Sequence, residues 1–274
     1  MQEKLRELEK KALWVRKQIL ETVASAKNGH IGGALSCTDI LVALYYGGVL
    51  RFDPKNPNCN SRDRFILSKG HSCIALFVIL ADLGFFSLSE LGSYCQNGSM
   101  LGGHPDSNIP GIEADTGSLG HGLGIASGLA LSFKMDEKDC MSVVLLGDGE
   151  CYEGSVWEAA MFAGHHMLNN LIAIVDRNCQ CVTDFTEDCN RLEPFEDKWR
   201  AFGWDTIKVD GHSFEELFAA FENLRQRKSY KPLIIIANTV KGKGVSFMEK
   251  KLQWHHGVPS GEDLEIARRE LSSK

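Results

Sequence analysis

The chain has 274 residues, 43% of them apolar, and its 30 lysines and arginines against 36 acidic residues give a net charge of −6. That content supplies a substantial core for one large domain or two modest ones. The acidic balance, with no long basic block, excludes nucleic acid as the main partner, and no apolar run approaches the roughly 20 residues of a membrane span.

The N-terminus is charged and amphipathic, and Leu5 to Ala26 repeats apolar residues at helical spacing before Lys27-Asn28-Gly29 stops it. His30 to Ser36 reads as a flexible loop, Thr38 to Tyr46 as a second helix, and 51–63 as a polar segment turning at Asn56-Pro57-Asn58. Arg64 to Leu67 predicts a short strand, which Ser68-Lys69-Gly70-His71 breaks before a helix over 72–83. A long irregular stretch, 98–115, carries Gly102-Gly103-His104-Pro105. The Gly-rich run 116–124 then opens a small-residue helix reaching Phe133. Its glycines serve either close helix packing or an array of backbone N–H groups for anionic oxygens or a flat heterocycle. Neither a GxGxxG dinucleotide fingerprint nor a Walker loop occurs.

Val143 to Leu146 reads as a buried strand delivering Gly147-Asp148-Gly149 to a sheet edge, 154–167 as a helix, and Leu171 to Val175 as a strand ending in Asp176-Arg177-Asn178. Parallel neighbours joined by a right-handed crossover would place Asp148 and Asn178 at one edge, where a carboxylate and an amide oxygen can share a hard cation. Asp148 alone also fits a helix N-cap. An oxygen-rich, low-charge ligand set suits Mg²⁺ whose other ligands come from phosphate or water. The polar segment 179–197 reads as a loop partly covering this site.

A weak strand follows at Thr206 to Val209, a helix at Phe214 to Arg227, and a strong strand at Pro232 to Ala237 with the Gly-punctuated tip 238–244. Trp254-His255-His256-Gly257 is a loop and Glu262 to Leu271 a closing helix. The alternation of helix and strand predicts an α/β fold, a mostly parallel sheet with helices on both faces.

Nine cysteines, an odd number without a CxxC pair, point to reduced thiols in a cytoplasmic protein. Cys179, Cys181 and Cys189 have no structural-zinc spacing. Four histidine positions, His30, His71, His104 and His255 or His256, sit in or beside Gly-bearing loops. Any one of them fits a structural role; together they point to a site where imidazoles bind phosphate or carbonyl oxygens or relay protons. With no GxSxG elbow, the site reads as one that holds a reactive cofactor.

The run Gly147-Asp148-Gly149 ending at Asp176-Arg177-Asn178 resembles the metal signature of thiamine diphosphate enzymes. Gly29-His30-Ile31-Gly32-Gly33, Ser68-Lys69-Gly70-His71, Gly102-Gly103-His104-Pro105 and 116–122 narrow the likeness to transketolases, and within them to the N-terminal, diphosphate-binding subunit of split transketolases. The resemblance covers nearly the whole chain. It implies one diphosphate-binding domain over residues 1–274, with an N-terminal helix and a C-terminal extension, and no pyrimidine-binding or C-terminal domain.

By that resemblance, Asp148 and Asn178 ligate Mg²⁺ through side chains and Gln180 through its carbonyl, with Ca²⁺ or Mn²⁺ as substitutes. Gly117, Ser118, Leu119, Gly149, Glu150 and Asn178 border thiamine diphosphate. His30, His71 and His255 touch cofactor and reacting carbon, and His104 a substrate hydroxyl; spacing alone leaves His256 open as the late histidine. Glu153 and Glu158 match positions at a dimer interface. His121 stands where the family often has glutamine, and Gln180-Cys181-Val182-Thr183-Asp184 where it commonly has an Asp-Gly pair.

The implied activity is transfer of a two-carbon ketol unit from a ketose to an aldose, in the pentose phosphate pathway. A separate chain would supply the glutamate that activates the aminopyrimidine, giving a heterotetramer that also self-associates. The alternatives are a sulfo-sugar transketolase or 2-oxo acid synthase subunit, or a cofactor-binding module without catalysis.

Overall fold

The computed structural model describes residues 2–272. Residues 1, 273 and 274 of the expected domain lie outside them. Five strands, β1 (Arg64–Leu67), β2 (Ser142–Gly147), β3 (Leu171–Arg177), β4 (Asp205–Asp210) and β5 (Leu233–Asn238), form one parallel sheet in the order β1-β2-β3-β5-β4. The helices are α1 (Gln2–Ala26), α2 (Ile31–Ser36), α3 (Thr38–Tyr46), α4 (Cys73–Asp82), α5 (Gly122–Met135), α6 (Gly154–His165), α7 (Thr186–Cys189), α8 (Phe195–Ala201), α9 (Phe214–Phe221) and α10 (Gly261–Ser272).

The apolar runs of β2, β3 and β5 are continuous because both sheet faces are covered. Successive side chains divide between two cores. Val143, Leu145, Ile172, Ile174, Leu233 and Ile235 pack with α1, α3 and α4. Val144, Leu146, Ala173, Val175, Ile234 and Ile236 pack with α5, α6 and α8. Truncating one of these, as in Leu145→Ala, costs about 2–5 kcal/mol. No described helix is long and apolar enough to cross a membrane.

Three segments differ from the sequence expectation. His30 to Ser36 is not an open loop: Ile31–Ser36 is the buried helix α2. A Cβ on Gly32 would lie 2.5 Å from the Trp254 carbonyl oxygen, so this glycine permits a close backbone approach within a helix. The helix expected over 214–227 stops at Phe221, and Asn223, at φ 57°, turns the chain into a short 3₁₀ segment. The expected loop 179–197 contains α7 and the start of α8.

Register fixes what meets at the sheet edge. Gly147 pairs with Asp176 and Arg177 with Asn238, so the carboxyl ends of β2, β3 and β5 finish together. In a parallel sheet that edge is where the following loops converge on a ligand.

Candidate active site

Asp148 is the first residue past β2 and Asn178 the first past β3, and both line one cavity of about 460 Å³ with Gln180, Lys241, His71 and His255. A larger cavity of about 580 Å³, beside Lys4, Gly47 and Phe218, gathers none of the expected site residues.

The Asp148 carboxylate is buried and accepts from the N–H of Gly149 at 2.8 Å, from the N–H of Cys179 at 2.6 Å and from Arg177 Nη1 at 3.2 Å. Burial, with the nearby Asp176 charge second, pushes its pKa up to about 6 although Arg177 and the two backbone donors oppose this. The Asn178 amide nitrogen donates to Asp176 Oδ2 at 3.2 Å, while its oxygen accepts from the N–H of Gln180 at 3.1 Å. That oxygen retains a second lone pair.

Asp176 anchors the floor beneath. It is fully buried and receives Lys69 Nζ, the Thr239 hydroxyl and, at 2.5 Å, the Ser36 hydroxyl, besides the Asn178 amide. Four segments are thus joined at one carboxylate. Glu150 plays the same part at the other wall, accepting from the Ser68 hydroxyl, from Gly120 N at 2.8 Å and from Gly147 N at 2.9 Å. It lines the cavity, but its two oxygens hold three loops together.

Lys241 extends from the tip after β5, its ammonium donating to the Cys181 carbonyl at 3.0 Å and, at 3.5 Å, to that of Gln180. Burial, and then the Lys69 charge, bring its pKa down to about 8. Among the described residues it has no carboxylate within ion-pair distance, so the cavity wall carries a cation without a counter-ion. In the sequence, Lys241, Lys69 and Asp176 stand out only as parts of polar tips. A lysine followed by a glycine in the polar tip beyond a buried strand, at the edge shared with Asp148, is the signal that could have found the first of them.

The histidines converge. His30 has ring centroids 5.3 Å from His71, 6.0 Å from His104, 5.3 Å from His255 and 4.6 Å from His256, and His71 lies 5.2 Å from His255. The two late histidines differ: His255 lines the cavity with a buried, unpartnered Nδ1, whereas His256 is exposed and bonded to Asn28 at 3.0 Å. Burial, then the charge of its neighbours, lowers His30 to about 4, His255 to about 3 and His71 well below the usual imidazole range. At neutral pH these rings are uncharged, each with one donor and one acceptor nitrogen.

Leu119 lines the cavity and Gly117 backs onto His104, where a Cβ would come within 2.9 Å of the ring; Ser118 is exposed. A Cβ on Gly149 would meet the Cys181 Cβ at 3.1 Å. Glu153, Glu158 and His121 are exposed.

Among the described residues no group of three or more His, Cys, Asp and Glu side chains is arranged to hold a metal ion. One carboxylate, one amide oxygen and one main-chain carbonyl make an oxygen set that is incomplete by itself and suits a Mg²⁺ sharing phosphate oxygens. The unpaired Lys241 charge and the orphaned nitrogen of His255 fit an anionic diphosphate at the same place.

The chain as a whole is similar to known proteins. The family described as "Transketolase, thiamine diphosphate binding domain" matches residues 9–272. Over 259 residues the chain is 46% identical to one of the subunits of the apulose-4-phosphate transketolase of Phocaeicola vulgatus, covering 94% of this chain and 92% of that one. It is 42% identical over 275 residues to 6-deoxy-6-sulfo-D-fructose transketolase subunit SqwG of a Clostridium species, covering 100% and 99%. The crystal structure of Campylobacter jejuni transketolase superposes with a TM-score of 0.91 at 32% identity, covering 97% of this chain and 42% of that one. The chain thus spans most of the two subunits but about two fifths of the Campylobacter enzyme.

Proposed function

This chain belongs to the transketolase thiamine diphosphate-binding domain family, a family of transferases, and we propose that it is the diphosphate-binding subunit of a split transketolase that requires a separate partner chain. The observation that carries this reading is the meeting of Asp148, Asn178 and Lys241 in one cavity beside the histidines around His30.

When bound, thiamine diphosphate would supply the nucleophilic carbon needed to transfer a two-carbon ketol unit from a ketose to an aldose. Lys241 and His255 bind the diphosphate, and Asp148, Asn178 and the Gln180 carbonyl hold Mg²⁺. His30, His71 and His104, whose rings cluster, would face the diphosphate, the reacting carbon and a substrate hydroxyl. Their neutral rings, each with one donor and one acceptor nitrogen, hydrogen-bond substrate oxygens without bringing positive charge into a site that already contains Lys241. Glu150 and Asp176 position the loops that carry these groups.

The relatives matched along their whole length are named for apulose-4-phosphate and for a sulfofructose. They favour the alternative reading over a pentose phosphate pathway enzyme: the substrate is a specialised ketose with an anionic end, phosphate or sulfonate. The partner chain supplies the glutamate that activates the aminopyrimidine. The test is to mix the chain with the product of a neighbouring reading frame, thiamine diphosphate and Mg²⁺, and offer phosphorylated and sulfonated ketoses with an aldose. Ketol transfer only when both chains are present supports the reading; carbon dioxide release from pyruvate indicates a synthase, and no transfer with any donor contradicts it.

A further inference from the structure

Two of the nine cysteines touch. Cys181 Sγ and Cys189 Sγ lie 3.3 Å apart, and both residues line the cofactor cavity. Cys37, Cys73, Cys140 and Cys151 are buried, and no other pair of sulfurs among the described residues is in contact.

The approach is built by the backbone on each side. Cys181 N donates to Asp184 O at 3.0 Å, closing a tight turn, and Gln180 bridges to Phe185. Cys189 ends α7, where its N–H bonds Phe185 O at 3.1 Å. The start of α7 is held by Arg177 Nη1 on the Thr186 hydroxyl at 2.6 Å and by the Tyr152 hydroxyl on Thr186 O at 2.5 Å. Neither sulfur depends on a long flexible segment for its position. A disulfide needs its sulfurs about 2.05 Å apart, so a small closing movement suffices.

We propose that Cys181 and Cys189 form a reversible disulfide that latches the loop at the mouth of the cofactor cavity. The oxidant is a low-molecular-weight disulfide of the glutathione class. Cys189 is the more exposed of the two. Its thiolate attacks one sulfur of the oxidant, breaking that S–S bond and expelling one thiolate, and leaves a mixed disulfide. Cys181, as thiolate, then attacks the Cys189 sulfur; the Cys181–Cys189 bond forms and the second small thiolate leaves. The two protein protons end on the two small thiols, so two protein thiols are oxidised and one disulfide is reduced. Intracellular disulfides of this kind are characteristically transient and redox-sensing.

The latch acts on cofactor binding through Cys181, a step that rests on the proposed cofactor site. Cys181 offers its carbonyl to Lys241 and packs against Gly149, so fixing it fixes one wall of the cavity. Ligand binding and disulfide formation are then linked, each altering the other's equilibrium by the same factor.

The test uses the chain with its partner subunit, equilibrated against oxidised and reduced glutathione and then alkylated. Cleavage after Glu187 separates the two cysteines, so the bond appears as two peptides held together. The expected result is a Cys181–Cys189 cross-link that dithiothreitol reverses, a glutathione adduct trapped on Cys189 in Cys181→Ser, and at least a tenfold change in Mg²⁺–thiamine diphosphate affinity on oxidation that Cys189→Ser does not show. No cross-link, a bond between other cysteines, or unchanged affinity in the cross-linked protein overturns the proposal. Cofactor binding by neither form, with the cross-link present, overturns the latch together with the cofactor assignment; binding by the reduced protein without a cross-link overturns the latch alone.

Discussion

The backbone N–H of Cys179 donates a 2.6 Å hydrogen bond to the Asp148 carboxylate, across the gap between the tips of β3 and β2. Cys179 has φ 63°, a left-handed turn taken where the chain leaves Asn178. The two tips are therefore tied directly to each other, and the proposed metal site is positioned by the backbone before any ion arrives.

The Lys69–Asp176 pair is buried, so removing either charge strands the other. Asp176→Asn is expected to lower stability by about 3–5 kcal/mol, measured by urea denaturation. The double change Lys69→Met with Asp176→Leu should cost clearly less than the sum of the single changes, because no unpaired charge remains.

His255 faces the cavity with a free nitrogen and His256 faces solvent. His255→Ala should lower kcat/KM of the assembled enzyme by about 100-fold or more, and His256→Ala by less than about threefold. Equal losses in the two variants would contradict the assignment.

Arg16 Nη1 and Nη2 grip both oxygens of Asp39 at 2.8 and 2.6 Å, and His212 Nδ1 approaches Asp39 Oδ2 at 2.6 Å. Burial alone would raise the Asp39 pKa, but Arg16 and then the His212 hydrogen bond outweigh it and bring it to about 2. A carboxylate lowered by folding stabilises the native state above its unfolded pKa of about 4 and loses that contribution as pH falls toward 2. Asp39→Asn should remove about 2 kcal/mol of acid-sensitive stability between pH 4 and 2, seen as a flatter dependence of the melting temperature on pH.

The strands were legible because period and composition agree: all five runs read from sequence became strands, Arg64 to Leu67 with unchanged bounds and the other four extended or shifted by one or two residues. The Asp148–Asn178 convergence followed from topology alone, since parallel neighbours share an edge. Illegible were contacts between segments distant in sequence. Asp176 reads as a strand end, yet its four donors come from positions 36, 69, 178 and 239. Gly32 reads as a loop signal although it lies in a helix, because the backbone that presses on it belongs to Trp254. Likewise, sequence spacing left His256 open beside the preferred His255; burial and the bond of His256 to Asn28 separate them.

Ile125 on α5 and Met161 and Phe162 on α6 are exposed, near Glu158 on the same helix. They are the surface we propose for self-association. Ile125→Lys combined with Met161→Lys should convert dimers to monomers by light scattering while leaving the helical circular dichroism unchanged, since neither side chain contributes to the core.

The central claim is that Asp148 and Asn178 hold Mg²⁺ for thiamine diphosphate. It is tested most directly by calorimetric titration of the cofactor into the chain with its partner subunit, with and without Mg²⁺, for the wild type and Asp148→Ala. Tight binding that needs Mg²⁺ in the wild type, and at least a roughly 100-fold loss in a still-folded Asp148→Ala, is the predicted result. Binding that ignores Mg²⁺, or wild-type affinity in the variant, would contradict it.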